Sequence, residues 1–391
     1  MKIAFIIQRY GEDIAGGAEM LCRRVAERLA REHEVEVLTT CAVDYVTWAN
    51  RLEPGPDTVN GIAVRRFPVK RPRSPRRFGR IQDFIFNNPH TRRQELKWLR
   101  EEGPLSPALV RHIEEHRRDY DLFIFFSYRY YITFHGLPPV AHRSILVPTA
   151  EHDPVVDLEI FRDFFKRPAG IVYLTPEERE LIRGISGNHD VPDDVIGGLD
   201  SWPGEVDRGL FFEKHGLGEK GYIIYLGRVD ENKGCRQMFA HYIRYAGERK
   251  ESLPLVVIGK PVMEIPDHPG IRHFGFVSEE EKFSALAGSR FLLMPSLYES
   301  LCMVVLEAWA MGTPTLVNGR CDVLRGQVTR AGGGLWYTGF DEFLYTMELL
   351  CRDDGLCRAL GESGRRYCEA NYTWPHIEKQ YNELIRRVVK G

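Results

Sequence analysis

The sequence holds no apolar run long enough to cross a bilayer, which takes about 20 residues. Its most apolar-aromatic stretch, LFIFFSYRYYITF at 122–134, is short and broken by Arg129. Nor does the opening MKIAFIIQRYGED suggest export, because the run from Ile3 to Ile7 is shorter than a signal-peptide core and no cleavage site follows. Among the 8 cysteines no pair is spaced C-x-x-C, and none stands with histidines at zinc-finger spacing. Reduced thiols in a cytoplasmic protein are the expectation. An excess of one charge is missing too: the formal net charge of −2 gives no global bias toward nucleic acid or anionic membrane.

What remains is a chain of 391 residues, 43% hydrophobic and 28% charged, an ordinary soluble composition and more than one core usually organises. Two domains are expected, and the pattern divides accordingly. KIAFII, the loop QRYGEDIAGGAE, a helical pattern with Leu21, Val25 and Leu29, and the strand EVEVLTT at 34–40 form a βαβ unit. Its strands are continuously apolar, as buried parallel strands are. Further strands are expected at 122–126, 144–148 and 170–174. The pattern restarts with GYIIYLGR at 221–228, a helix over ENKGCRQMFAHYIRYAGE and the strand PLVVIGK at 254–260. HFGFV, a helix around 278–288, RFLLMPS, a helix at 302–311 and the strand TPTLVN follow. These repeats predict an α/β protein of two Rossmann-like domains facing across a cleft, 1–203 and 204–373, linked within Gly197–Asp207, with a helix from 374 returning to the first domain.

In open α/β sheets ligands bind beyond the carboxyl ends of the strands, and the unusual residues lie on such loops. Gly16 and Gly17 open a helix, where exposed N–H groups favour an anion such as diphosphate; a plain glycine turn explains them equally. Arg228 and Lys233 share one loop and suit two phosphates, or are two solvated cations. His152, in PTAEHDP, suits a sugar or a proton, or holds a loop. In SLYESLCMVVLEAWAMGTP every residue from Met303 to Met311 is apolar except Glu307. A buried carboxylate there needs donors: the vicinal diol of a ribose, or a buried Lys or Arg from elsewhere. Glu299 lies at the entry to the same helix. The segment 65–80, RRFPVKRPRSPRRFGR, holds eight basic residues and no acid; it is either a surface for anionic lipid or a lipid-diphosphate acceptor, or a solvated loop.

SLYESLCMVVLEAWAMGTP resembles the E-x7-E signature of retaining GT-B glycosyltransferases of family 4. GRVDENKG is similar to that family's G-R-x(4)-K-G, IAGGAE to its N-terminal glycine loop, AEHD to the loop with its active-site histidine, and NYTWPHIEKQY to the start of its returning helix. The resemblance implies a GT-B fold and a retaining, metal-independent glycosyltransferase with no cofactor. It would use a nucleotide-sugar donor and an acceptor sugar or lipid-linked sugar, in polysaccharide, glycolipid or secondary-metabolite glycosylation. It implies that Glu307 receives the ribose hydroxyls and that Glu299 meets the sugar beside the N–H groups of 301–304, hence Ser300, Leu301, Cys302, Met303 and Val304. Arg228 and Lys233 would hold the diphosphate, Gly16 and Gly17 approach it, His152 lie beside the transferred sugar, and Phe276 and Val277 meet the base. Two departures stand out. Leu301-Cys302 replaces the family's Phe-Gly, and NGRCDVLRGQ replaces its Gly-Gly…Glu loop. The rival readings are a UDP-sugar epimerase of the same architecture and a non-catalytic nucleotide-sugar binding protein.

Overall fold

The computed structural model describes residues 1–14, 16–199, 204–217, 221–249 and 251–390. Two compact α/β units divide the chain: Met1–Asp200 with Trp374–Gly391, and Ser201–Thr373. The expected boundary at 203/204 lies outside the described residues.

Among the described residues the first unit is built on an eight-stranded sheet of order β3-β4-β2-β1-β5-β6-β7-β8. Its strands are β1 (Lys2–Ile6), β2 (Glu34–Thr40), β3 (Gly55–Val59), β4 (Ile62–Phe67), β5 (Leu122–Phe126), β6 (Ser144–Val147), β7 (Gly170–Tyr173) and β8 (Asp193–Val195). Every pairing is parallel except β3 with β4. All five residues of β5 are fully buried, which is why LFIFF reads as a central strand. The helix Trp374–Lys390 buries Trp374, Ile377, Tyr381, Leu384, Ile385 and Val388 at helical spacing and counts with this unit. Val388 lies where a Cβ on Gly170 would stand, 2.7 Å away, so β7 and this helix meet at a glycine.

The second unit carries a parallel six-stranded sheet of order β11-β10-β9-β12-β13-β14. The strands are β9 (Ile223–Leu226), β10 (Leu255–Ile258), β11 (Ile271–His273), β12 (Phe291–Met294), β13 (Thr315–Asn318) and β14 (Gly334–Tyr337). Sheet order reverses between β9 and β12, the switch point at which an open α/β sheet offers a crevice beyond its strand ends. HFGFV is not itself a strand: β11 ends at His273, and Phe274–Val277 form the loop after it. The helix after Lys233 begins at Cys235, so ENKG is a turn.

Candidate functional site

The second unit gathers its unusual residues on the loops that follow β9 and β12. The turn after β9 is organised by Asp230, a buried residue the sequence reading did not single out. One carboxylate oxygen pairs with Arg228 Nε, and the other accepts the backbone N–H of Lys233 at 3.1 Å. One acid therefore fixes the Arg228 side chain and the backbone of Lys233. Gly234 explains its own place: at φ 72° it occupies the left-handed region, and a Cβ there would stand 2.2 Å from the Pro295 carbonyl oxygen. That approach presses the β9 loop against the end of the β12 segment. Asn318, at the end of β13, donates to the same Pro295 carbonyl at 3.0 Å.

The consequence is an ion pair, Lys233 Nζ to Glu299 Oε1 at 2.7 Å. The sequence placed these residues in two separate motifs; the fold makes them one group. After Glu299, Ser300 leads into Leu301 and Cys302, both buried, and the helix Met303–Ala310 begins. Cys302 is its N-cap at φ 58°, a conformation that favours glycine. The glycine that the family places here thus corresponds to a backbone that this chain keeps, at a strain on the order of 1–2 kcal/mol. Gln327 holds the same turn, donating to the Leu301 carbonyl at 2.6 Å. Burial drives the Cys302 thiol well up, with Glu299 adding to the effect. Cys321 is pushed up to about 12 by burial, so both thiols stay protonated beside the pair.

Glu307 has a protein partner. Lys282, in the helix Glu279–Gly288, places Nζ 2.8 Å from Glu307 Oε1. The ion pair from elsewhere in the chain, one of the two options open in the sequence, forms. Phe276 is 73% exposed on the loop after β11, with Val277 half-buried beside it.

In the first unit, the helix Gly17–Leu29 opens after Gly16. Its first turn carries Glu19, whose Oε1 accepts from Gln8 Nε2 at 2.9 Å and from Arg9 Nε and Nη2 at 2.9 and 2.6 Å. A Cβ on Gly16 would come within 2.1 Å of Glu19 Oε2, so the glycine makes room for a carboxylate of the protein. His152 is exposed on the loop after β6, between anchored neighbours. Asp153 accepts from Arg129 Nη1 at 2.9 Å.

Residues 207–367 match the family Glycosyl transferases group 1. Relatives agree in kind. An uncharacterized glycosyltransferase of Methanocaldococcus jannaschii is 22% identical over 97% of this chain and 96% of its own. The MMP alpha-(1->4)-mannosyltransferase of Mycolicibacterium hassiacum is 26% identical over 47% of this chain and 48% of its own. Among solved structures, sucrose-phosphate synthase from Thermosynechococcus elongatus superposes with a TM-score of 0.72 at 16% identity, covering 100% of this chain and 99% of that one. Anabaena HepE in complex with UDP and glucose superposes at 0.69 with 14% identity over 99% of each. The chain has the two-domain α/β layout of these GT-B structures, and the segment that matches the glycosyl transferases group 1 model lies in its second unit.

Within that domain the fold joins Arg228, Lys233 and Glu299, with Ser300–Val304 following directly, and sets Glu307 against Lys282. Asp230, Gln327, Asn318 and Lys282 were missed by the sequence reading. Only Asp230 carried a signal, since it sits between the two cations. Among the described residues no cluster of His, Cys, Asp and Glu suits a metal, and no helix is long and apolar enough to cross a membrane.

Proposed function

We propose that the protein is a retaining glycosyltransferase that moves a sugar from a nucleoside-diphosphate donor to an acceptor hydroxyl, in polysaccharide, glycolipid or secondary-metabolite glycosylation. The observation that carries the reading is the 2.7 Å Lys233–Glu299 pair at the β9 and β12 loop ends, inside the matched domain. A cation for phosphate and a carboxylate for sugar hydroxyls stand side by side, as the two halves of a nucleotide sugar require. Arriving diphosphate attracts Lys233 and Arg228, and Glu299 is released to accept hydrogen bonds from the sugar. The acceptor oxygen then bonds to the anomeric carbon on the face from which the diphosphate departs. The anomeric carbon–phosphate oxygen bond breaks, and the acceptor's proton passes to the leaving phosphate oxygen. Two preorganised cations stabilise the charge that grows on that oxygen, so the reading calls for no metal. Glu307 meets the ribose while keeping Lys282, Phe276 and Val277 flank the base, and His152 and Gly17 act on the sugar and diphosphate.

Thermal-shift screening against UDP, GDP, ADP and dTDP tests the first step. A nucleotide at a hundred times its Kd stabilises by about 2.7 kcal/mol, and UDP leads the series because HepE is described with it. No shift with any of the four would sink the reading. For an epimerase, a sugar nucleotide carrying the base that the screen selects would be converted without acceptor; for a transferase, its turnover depends on acceptor.

A further inference from the structure

His152 is an exposed side chain on the loop after β6, and everything around it in the first unit is tied down. On one side, Glu178 is buried in the first turn of the helix Pro176–Ser186. One of its carboxylate oxygens accepts the N–H of Ala150 at 2.5 Å, and the other the N–H of Leu174 at 2.6 Å. This single carboxylate joins the end of β7 to the residue two before His152. On the other side, Asp153 Oδ2 accepts from Arg129 Nη1 at 2.9 Å, and Arg129 Nε donates to Glu102 Oε1 at 3.0 Å. Glu102 is itself held, its second oxygen pairing with Arg73 Nη1 at 2.7 Å. Asp153 also turns the chain onward, taking the N–H of Val155 at 3.2 Å.

Backbone strain marks the same loop. Thr149 has φ 51° and Ser127, after β5, has φ 64°, and their hydroxyls meet at 2.9 Å. A β-branched residue in the left-handed region is held there only by its surroundings. Residues 149, 150 and 153 are thus each fixed by a different contact, on either side of the exposed His152.

We infer that Glu178 and Arg129 form a two-sided clamp that sets the position of the His152 imidazole, and that both are positioning residues for its reaction. The inference rests on the reading of His152 as a residue of the transferred sugar. The loop runs over 148–158, from the end of β6 to the helix Glu159–Arg162, and these contacts are gathered on the stretch 149–153 that carries His152. A side chain displaced by about 1 Å from its productive place costs on the order of a hundredfold in rate, which is the scale of effect a clamp protects against.

The test uses the full chain labelled with ¹³C at histidine Cε1, with the His152 resonance assigned by its loss in His152→Ala. Glu178→Gln keeps the shape and one acceptor; Arg129→Met removes both guanidinium bonds; Arg129→Lys and Asp153→Asn are milder forms in case either fails to fold. Melting curves separate folded variants from unfolded ones. The clamp predicts that the His152 resonance shifts or broadens in Arg129→Met and Glu178→Gln, less so in Arg129→Lys, while histidines elsewhere stay put. An unmoved His152 resonance in folded Arg129→Met and Glu178→Gln overturns it. Turnover of a sugar nucleotide carrying the base that the thermal-shift screen selects supplies the second arm. If Arg129 acts through His152, the double variant with His152→Ala is no slower than His152→Ala alone, whereas additive losses overturn the positioning role. A moved resonance together with a fully active His152→Ala protein leaves the clamp in place and removes the assignment of His152 instead.

Discussion

Glu307 stands in a helix so apolar that the sequence alone demanded a partner for it, yet nothing in the spacing pointed to Lys282, which comes from a different helix. Such pairs are set by packing and not by periodicity, so they stay illegible until the fold is known. Glu307→Gln leaves the Lys282 ammonium only Glu279, at 3.8 Å; because Lys282 is also 17% exposed, the loss should stay below about 3 kcal/mol, the lower end for a broken buried pair. Adding Lys282→Met should restore much of it, a coupling that urea titration of the two single variants and the double variant would read out. Glu178 gives a pH prediction. Burial raises its carboxyl to about 8, against the lowering effect of its two backbone N–H partners, with Glu151 adding to the rise; Tyr173 and Tyr381 are titratable neighbours. A raised carboxyl binds its proton more tightly in the folded than in the unfolded chain. Its contribution is therefore fully present below about 4.5 and lost as pH rises through about 8. The stability of the wild type relative to Glu178→Gln should fall between those limits, and a flat difference would contradict this. Lys233→Ala should slow transfer by on the order of a hundredfold with a stability change under about 1 kcal/mol, both partners being partly exposed.

The elements divide into those that hydrophobic pattern reveals and those it hides. β1 and β5 were legible because they are buried almost throughout and their runs are almost continuously apolar. β3, GPDTV, was not, since four of its five residues are not buried and an edge strand needs no apolar face. The basic segment 65–80 is more structured than a loop: it contains the end of β4, then a turn, then the start of the helix Pro75–Asn87. Arg65 pairs with Glu36, Arg66 with Asp57, Arg71 and Arg77 with Glu101, and Arg73 with Glu102. The partners Glu101 and Glu102 end the helix Arg92–Glu102, whose acids sit too far along the chain for a local reading to couple them. Exchanging Arg73 for Ala should accordingly lower the melting temperature, because it strips buried Glu102 of a partner. Exchanging the exposed Arg76 and Arg80 for Gln should leave melting unchanged and decide whether vesicles of anionic lipid retain the protein. Equal melting for all three variants would return the segment to the surface.

At the scale of the whole molecule, the doubling of the βαβ pattern made two α/β units readable from sequence, because strand spacing and glycine loops repeat at long range. The site was readable as motifs and not as contacts. The E-x7-E and G-R-x(4)-K-G segments named Glu299 and Lys233, but a spacing says nothing about a glycine pressed on a carbonyl 61 residues away, the approach of Gly234 to Pro295 that brings them together. That pairing has a further result. The described cations of the candidate site and most of those in the basic segment are already matched by carboxylates of the protein, and the net charge of the whole chain is −2. To a long polyanion, which gains its grip by shedding counterions from many unpaired cations at once, the molecule offers little. To a compact diphosphate, which must win only one or two exchanges, the same cations remain accessible. The protein should pass through a heparin column with little retention while still taking up its nucleotide, and strong retention would show that the cations are less neutralised than their pairings imply. On the proposed function, internal salt bridges of this kind would act as a sieve for ligand size, favouring a compact diphosphate over a long polyanion.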